Sequence, residues 1–202
     1  MSEKTDRRIQ RTRALLRKSI LELILQHSFA DLTIEQITEQ VNLGRTTFYL
    51  HYRDKKELLI DGIKVLIDNL FQEIYSPQNM EKWVKEGVDP RKLIFVRTAE
   101  NAVLYKKLFT GELGSLVLVY LHEHLAKQMN TIIEAWQHRF NLNPPISNPV
   151  TSHYSAGALT GLLQWWLENE LPYPPEEMYE IYHHIMVNGI VQSTGIDQIP
   201  AD

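Results

Sequence analysis

The sequence contains no cysteine. That excludes disulfides and thiolate metal ligands, and a chain built without them is at ease in a reducing compartment. It also lacks a long apolar run: "LVLVYL" (Leu116–Leu121) is far short of the ~20 residues that a membrane-crossing helix requires. The opening "MSEKTDRRIQRTR" has no apolar stretch of the kind a secretory signal carries, so a cytoplasmic protein with no membrane partner is expected. Catalytic signatures are missing too. There is no G-x-S-x-G, no phosphate-cradling glycine loop and no H-E-x-x-H, so neither an enzyme nor a cofactor is expected.

A more local absence points the other way. The chain carries a net charge of −4, yet no Asp or Glu occurs from Gln40 through Arg53. Glu39 and Asp54 bracket that run. The charge is also uneven. Residues 1–64 hold 12 basic and 9 acidic side chains, whereas residues 65–202 hold 9 basic and 16 acidic. A basic head on an acidic body implies that only the head meets a polyanion.

What is present is helix. From Thr12 to His27, Leu16, Ile20 and Ile24 recur every fourth residue with no Gly or Pro between them. Thr33 followed by Gln36 fits a capping box, and Ile34, Ile37 and Val41 share one face of a short helix. "NLG" (Asn42–Gly44) supplies turn residues, and Gly44 can take a positive φ. A second short helix then spans Arg45 to His51, with Phe48 inward. Two short helices joined by a tight turn form a helix-turn-helix. Asp54 is placed to cap a long helix from Lys55 to about Tyr75, roughly 30 Å in length. Further helices are expected over about 90–108, 112–140, 150–170 and 176–192. The expected fold is all-α, about nine helices, with a helix-turn-helix head over 1–54 and a helical body over 55–202.

In a helix-turn-helix the second helix offers its first residues to the major groove. Arg45 can pair with guanine or a phosphate, and Thr46 and Thr47 are short enough for close approach. Tyr49 brings a flat ring and a hydroxyl. Phe48 and Tyr52 are assigned to the core. Residues from about Thr12 to Leu59, above all "RTTFYLHYRDKKELL", resemble the DNA-binding domain of the TetR family of bacterial repressors. That resemblance implies base or phosphate contacts for Arg45, Thr46, Thr47 and Tyr49, and backbone contacts for Thr33, His51 and Lys55. Gly44 stands where the family commonly has Ser, and Leu50 where it often has Arg or Lys.

The body segments "NAVLYKKLFTGELGS" and "SAGALTGLLQWWLENELPYPPEEMYEIYHHIM" resemble a subgroup of regulators linked to dihydroxyacetone kinase operons, one of which is a co-activator. The family resemblance implies a homodimer that binds a palindromic DNA operator and is released by a small-molecule effector. Co-activation through a protein partner is the alternative. Gly157 and Gly161, four apart, suit close helix packing within the chain or across a dimer. An effector pocket among the middle helices would draw on Phe71, Phe95, Tyr105, Phe109, Tyr120, His124, Trp136 and Trp165. At most one of Trp165 and Trp166 can face a given pocket. His122 and His124, two residues apart on a helix, diverge, as do His183 and His184, so no metal site is expected.

Overall fold

The computed structural model describes residues 3–87, 89, 91–111 and 114–194, without the side chains of residues 3–6, 83, 84, 136, 140 and 190–194. Among these the regular structure is entirely helical. The ten elements are α1 (Glu3–Gln26), α2 (Ile34–Glu39), α3 (Arg45–Tyr49), α4 (Lys55–Ile74), α5 (Pro77–Glu86), α6 (Lys92–Glu100), α7 (Ala102–Thr110), α8 (Gly114–Phe140), α9 (Asn148–Glu168) and α10 (Pro175–Thr194). The chain divides into two compact units. The first is Met1–Glu73 with Val103–Val117, and the second is Ile74–Ala102 with Leu118–Asp202.

In the first unit, Leu16, Ile20 and Ile24 of α1 are buried, as their four-residue spacing requires. They share the core with Ile37 of α2, Phe48 of α3, and Leu58, Leu59 and Ile63 of α4. Ser19, also fully buried, donates from Oγ to the Ile37 carbonyl at 2.8 Å. Thr33 caps α2 with a complete capping box. Asp54 Oδ1 accepts from the Glu57 amide at 2.8 Å and starts α4. α7 joins this unit through Lys107, whose ammonium donates to the last carbonyls of α1, at 3.1 Å to Ile24 and 2.7 Å to Leu25. A cation at a helix C-terminus satisfies orphan carbonyls and complements the helix dipole. Beside it lies a cavity of about 350 Å³ lined by Ile24, His27, Phe29, Leu59, Lys107 and Leu108 among others.

The second unit packs α6 against α10. Phe95, fully buried, meets the rings of Trp166, Tyr179 and Tyr182 at centroid distances of 5.9, 6.4 and 5.5 Å. Asp89 and Arg91 form an internal ion pair here. Burial raises the Asp89 carboxyl, but the Arg91 guanidinium and amide outweigh it and hold its pKa below the usual value. Burial pushes the Tyr75 phenol up to about 12.

Three local readings are corrected. The positive φ in the turn before α3 belongs to Asn42 (φ 52), while Gly44 is an extended N-cap (φ −84, ψ 152). Asn tolerates the left-handed region because its short amide bonds locally. The helix expected over 90–108 breaks at Asn101 (φ −115, ψ 26), whose side-chain amide donates to the Arg97 carbonyl at 3.0 Å. A helix that was not among those expected, α5, begins at Pro77, where the missing N–H of proline costs nothing.

Candidate nucleic-acid interface

The second helix of the helix-turn-helix is only five residues, "RTTFY", so its orientation is set by its anchors. Phe48 is the first, with no exposed surface. Its ring meets Tyr49 edge-on at 5.5 Å and Tyr52 at 5.9 Å. Tyr52 is the second anchor. Its ring is 3% exposed, and its hydroxyl donates to Asp61 Oδ2 at 2.6 Å and accepts from Arg13 Nε at 3.2 Å. Asp61 Oδ2 also meets Arg17 at 2.9 Å and Arg13 at 3.2 Å. Burial raises the Asp61 carboxyl, but the Tyr52 hydroxyl and the two guanidiniums prevail and hold it below its usual pKa. One carboxylate on α4 thus ties together α1, α4 and Tyr52, three residues beyond the second helix.

Arg45 and Thr46 are exposed, Thr47 is half-buried, and Tyr49 shows 53% of its surface. They project from the anchored helix with no acidic residue in its first turn. Leu50, just after it, is 76% exposed. His51 is half-buried. Burial, reinforced by the positive charge of Arg13, lowers the pKa of its imidazole below the usual 6.5. Near pH 7 it is a neutral hydrogen-bonding group. Thr33 is exposed at the start of α2, but its hydroxyl is engaged with Gln36, accepting from the amide at 3.2 Å and donating to Oε1 at 3.0 Å. What it presents to a ligand is the α2 N-terminus, which favours anions.

The ammonium of Lys55, of which a phosphate contact is expected, is engaged within the fold. Its Nζ donates to the carbonyls of Phe29, Ala30 and Leu32, each at 2.8 Å, and sits 4.8 Å from the Phe29 ring centroid. An ammonium has three protons, and all three are committed. Lys55 ties the start of α4 to the loop between α1 and α2. Arg13, Arg17 and Asp61 are not singled out by any motif in the sequence. Arg13 and Arg17 lie one turn apart on α1, but their shared partner is 44 residues beyond Arg17, and spacing carries no signal for that.

The expected effector residues fall in both units. Phe71, Tyr105 and Phe109 are buried in the first, and Phe95 is buried in the second. Tyr120 and His124 stack at 6.0 Å on α8. The side chain of Trp136 lies outside the described residues. Trp165 is 43% exposed and lies against Tyr173, while its neighbour Trp166 is fully buried and donates from Nε1 to the Tyr173 carbonyl at 2.9 Å. Successive helical residues sit about 100° apart, so only one of the pair reaches the core. None of the seven described candidates lines the cavity beside Lys107.

Two family models match the chain. Residues 16–61 match bacterial regulatory proteins of the tetR family, and residues 92–188 match a transcriptional regulator C-terminal region. The chain is similar to an uncharacterized HTH-type transcriptional regulator, YxbF, of Bacillus subtilis (strain 168), with 26% identity over 178 residues, 85% of this chain and 43% of that protein. It is also similar to the HTH-type transcriptional regulator TcmR of Streptomyces glaucescens, 37% identical over 65 residues, 32% of this chain and 28% of that one. The chain thus spans less than half the length of either relative. Among solved structures, the dihydroxyacetone kinase operon activator DhaS matches with a TM-score of 0.60 and 16% identity, covering 89% of this chain and 96% of that one. Thermus thermophilus FadR, a transcriptional repressor solved with lauroyl-CoA, matches at 0.62 and 18%, covering 88% and 94%. At such identities these likenesses speak for the fold.

Proposed function

Because the chain belongs to the TetR family and is a transcriptional regulator, we propose that it is a repressor that binds a palindromic operator as a homodimer and lets go when a small molecule binds. The observation that carries the DNA reading is the contrast along five residues. Phe48 is wholly buried, and its neighbours Arg45, Thr46 and Tyr49 are exposed on a helix without a nearby acid. Arg45 and Tyr49 read base edges, Thr46 and Thr47 hold phosphate, and His51 and the α2 N-terminus at Thr33 add neutral backbone contacts.

Dimerisation through α9 has its own support. Val150, Tyr154 and Trp165 are 61%, 60% and 43% exposed, and with Ala158 and Gly161 they follow a helical spacing along one face. A Cβ built on Gly161 would meet nothing within 4 Å, so that position is open. A second copy covers such a self-complementary stripe, and operator symmetry needs one.

For the effector, the second unit contains polar atoms that the fold leaves unused. Ser152 Oγ, in a residue with no exposed surface, and His183 Nδ1 are buried without a hydrogen-bond partner among the described residues. A buried unpaired polar group costs about 1–3 kcal/mol, and a polar effector group that pairs with it removes that cost. The signal then reaches DNA through α4, which continues from the first unit into the second at Ile74. Asp61 on α4 holds the Tyr52 hydroxyl, so a displaced α4 reorients the reading helix through that bond.

The test is selection of binding sites from random duplexes with the full chain. The expected product is a two-fold symmetric sequence with half-site centres one helical turn apart, about 34–36 Å. An enriched pool without symmetry contradicts the dimeric reading. A pool with no enrichment contradicts direct operator binding and favours action through a protein partner.

A further inference from the structure

The second unit contains a second chemistry-bearing cluster, within the stretch 92–188 that matches the C-terminal family model. His122 on α8 and His153 on α9 approach each other, with Nε2 and Nδ1 3.2 Å apart and ring centroids separated by 5.4 Å. Glu123, next along α8, brings a carboxylate, and one ligand atom from each of the three residues lies within 4.8 Å of the others. His124, two residues beyond His122 on the same helix, turns away and stacks on Tyr120. The second imidazole comes instead from α9, which sequence spacing cannot show.

The geometry suits a metal ion. Imidazole nitrogens bind zinc at about 2.0–2.1 Å, and two such ligands at a tetrahedral centre are about 3.4 Å apart. The 3.2 Å separation here needs only a small adjustment. The His122 ring is held in place by its surroundings. His122 Cε1 lies 3.5 Å from where a Cβ of Gly157 would stand, so the ring rests against the α9 backbone one turn beyond His153. His122 is half-buried and His153 and Glu123 are exposed, so an ion can enter from solvent.

We propose that His122, His153 and Glu123 form a site for a borderline divalent transition-metal ion, of which Zn²⁺ is the representative. Imidazole suits Zn²⁺, Cu²⁺, Ni²⁺ and Co²⁺, whereas Mg²⁺ and Ca²⁺ want all-oxygen shells. Two histidines and one carboxylate leave at least one coordination position to water or to an anionic group. A bound ion cross-links α8 to α9 within the second unit. Without an ion the two rings share a single hydrogen bond, which is a much weaker link.

The experiment uses the full chain after chelator treatment, titrated with CoCl₂ and ZnCl₂. One Co²⁺ per chain should bind with the visible absorption of a nitrogen- and oxygen-ligated ion, and Zn²⁺ should displace it and raise the unfolding temperature. X-ray absorption on the zinc-loaded protein should give two imidazole nitrogens at the distance above. His122→Ala and His153→Ala should each lose the absorption and the thermal shift, Glu123→Gln should weaken binding at least tenfold, and His138→Ala, an exposed histidine on the same helix, should change nothing. No binding at micromolar Co²⁺ or Zn²⁺ overturns the proposal. So does unchanged stoichiometry and spectrum in either His122→Ala or His153→Ala. The absorption experiment decides the matter on wild-type protein even if a variant folds poorly.

Discussion

Lys55→Met distinguishes a lysine that holds the fold from one that holds DNA. The substitution keeps most of the aliphatic stem and removes the ammonium. Three carbonyls then lose their donor at once, those of Phe29, Ala30 and Leu32, and the Phe29 ring loses its cation. Charge-assisted hydrogen bonds contribute about 1.5–3 kcal/mol each. Here one ammonium is shared among three, and the Ala30 bond lies at the surface, where water takes over. The expected loss is therefore about 2–3 kcal/mol in total, including a cation–π share of about 0.5–1 kcal/mol. Urea unfolding followed by circular dichroism at fixed protein concentration should show a lower midpoint with an unchanged slope. Operator affinity measured by fluorescence anisotropy across a salt series should keep its slope, because no phosphate contact has been lost. The opposite result refutes the reasoning: unchanged stability, with a log–log salt slope reduced by about 0.9 per protomer, would put this ammonium on a phosphate.

Three further substitutions test other parts of the structure. The Asp61 carboxyl sits below its usual pKa of 3.8, so its contribution is present above that value and is lost as pH falls through it to the lower folded value. Asp61→Asn should lower stability at pH 7, flatten the acid limb of a stability–pH profile, and weaken DNA binding by loosening Tyr52. Ser152→Ala removes a buried unpaired hydroxyl, so calorimetry should show the free protein as stable as wild type or about 1 kcal/mol more stable, while a reporter assay shows a poorer response to effector. Gly44→Ser gives α3 the side-chain cap it lacks at a backbone conformation any residue adopts, with nothing within 4 Å of the new Cβ. It should stabilise the head by about a few tenths of a kcal/mol in denaturant unfolding.

The parts of this molecule that are local in sequence were the legible ones. The four-residue apolar spacing of α1, the capping box at Thr33 and the Asp54 cap each depend on neighbours within one turn, and all appear in the structure. The inward side of the reading helix was legible for the same reason, since Phe48 and Tyr52 lie four apart. What was not legible depends on pairing across distance. Lys55 reads as a free cation until the loop 23–26 residues before it folds back onto it. Asp61 reads as one more helix acid until Tyr52, Arg13 and Arg17 converge on it. His122 and His153, 31 residues apart, belong to the same class. The turn failed for a different reason: Asn and Gly both favour a positive φ, and "NLG" offers one at each end.

Tyr49→Ala tests the central claim most directly. The side chain is exposed beside an anchor that is not, so its loss should leave the fold intact. A good base contact is worth about 1–3 kcal/mol, and a dimer loses it twice, which predicts about 30-fold weaker operator binding or worse. The measurement is anisotropy on the selected operator, with unfolding midpoint and sedimentation compared side by side. Affinity should collapse while midpoint and dimer mass stay at wild-type values. Wild-type affinity in a folded, dimeric Tyr49→Ala protein would contradict it.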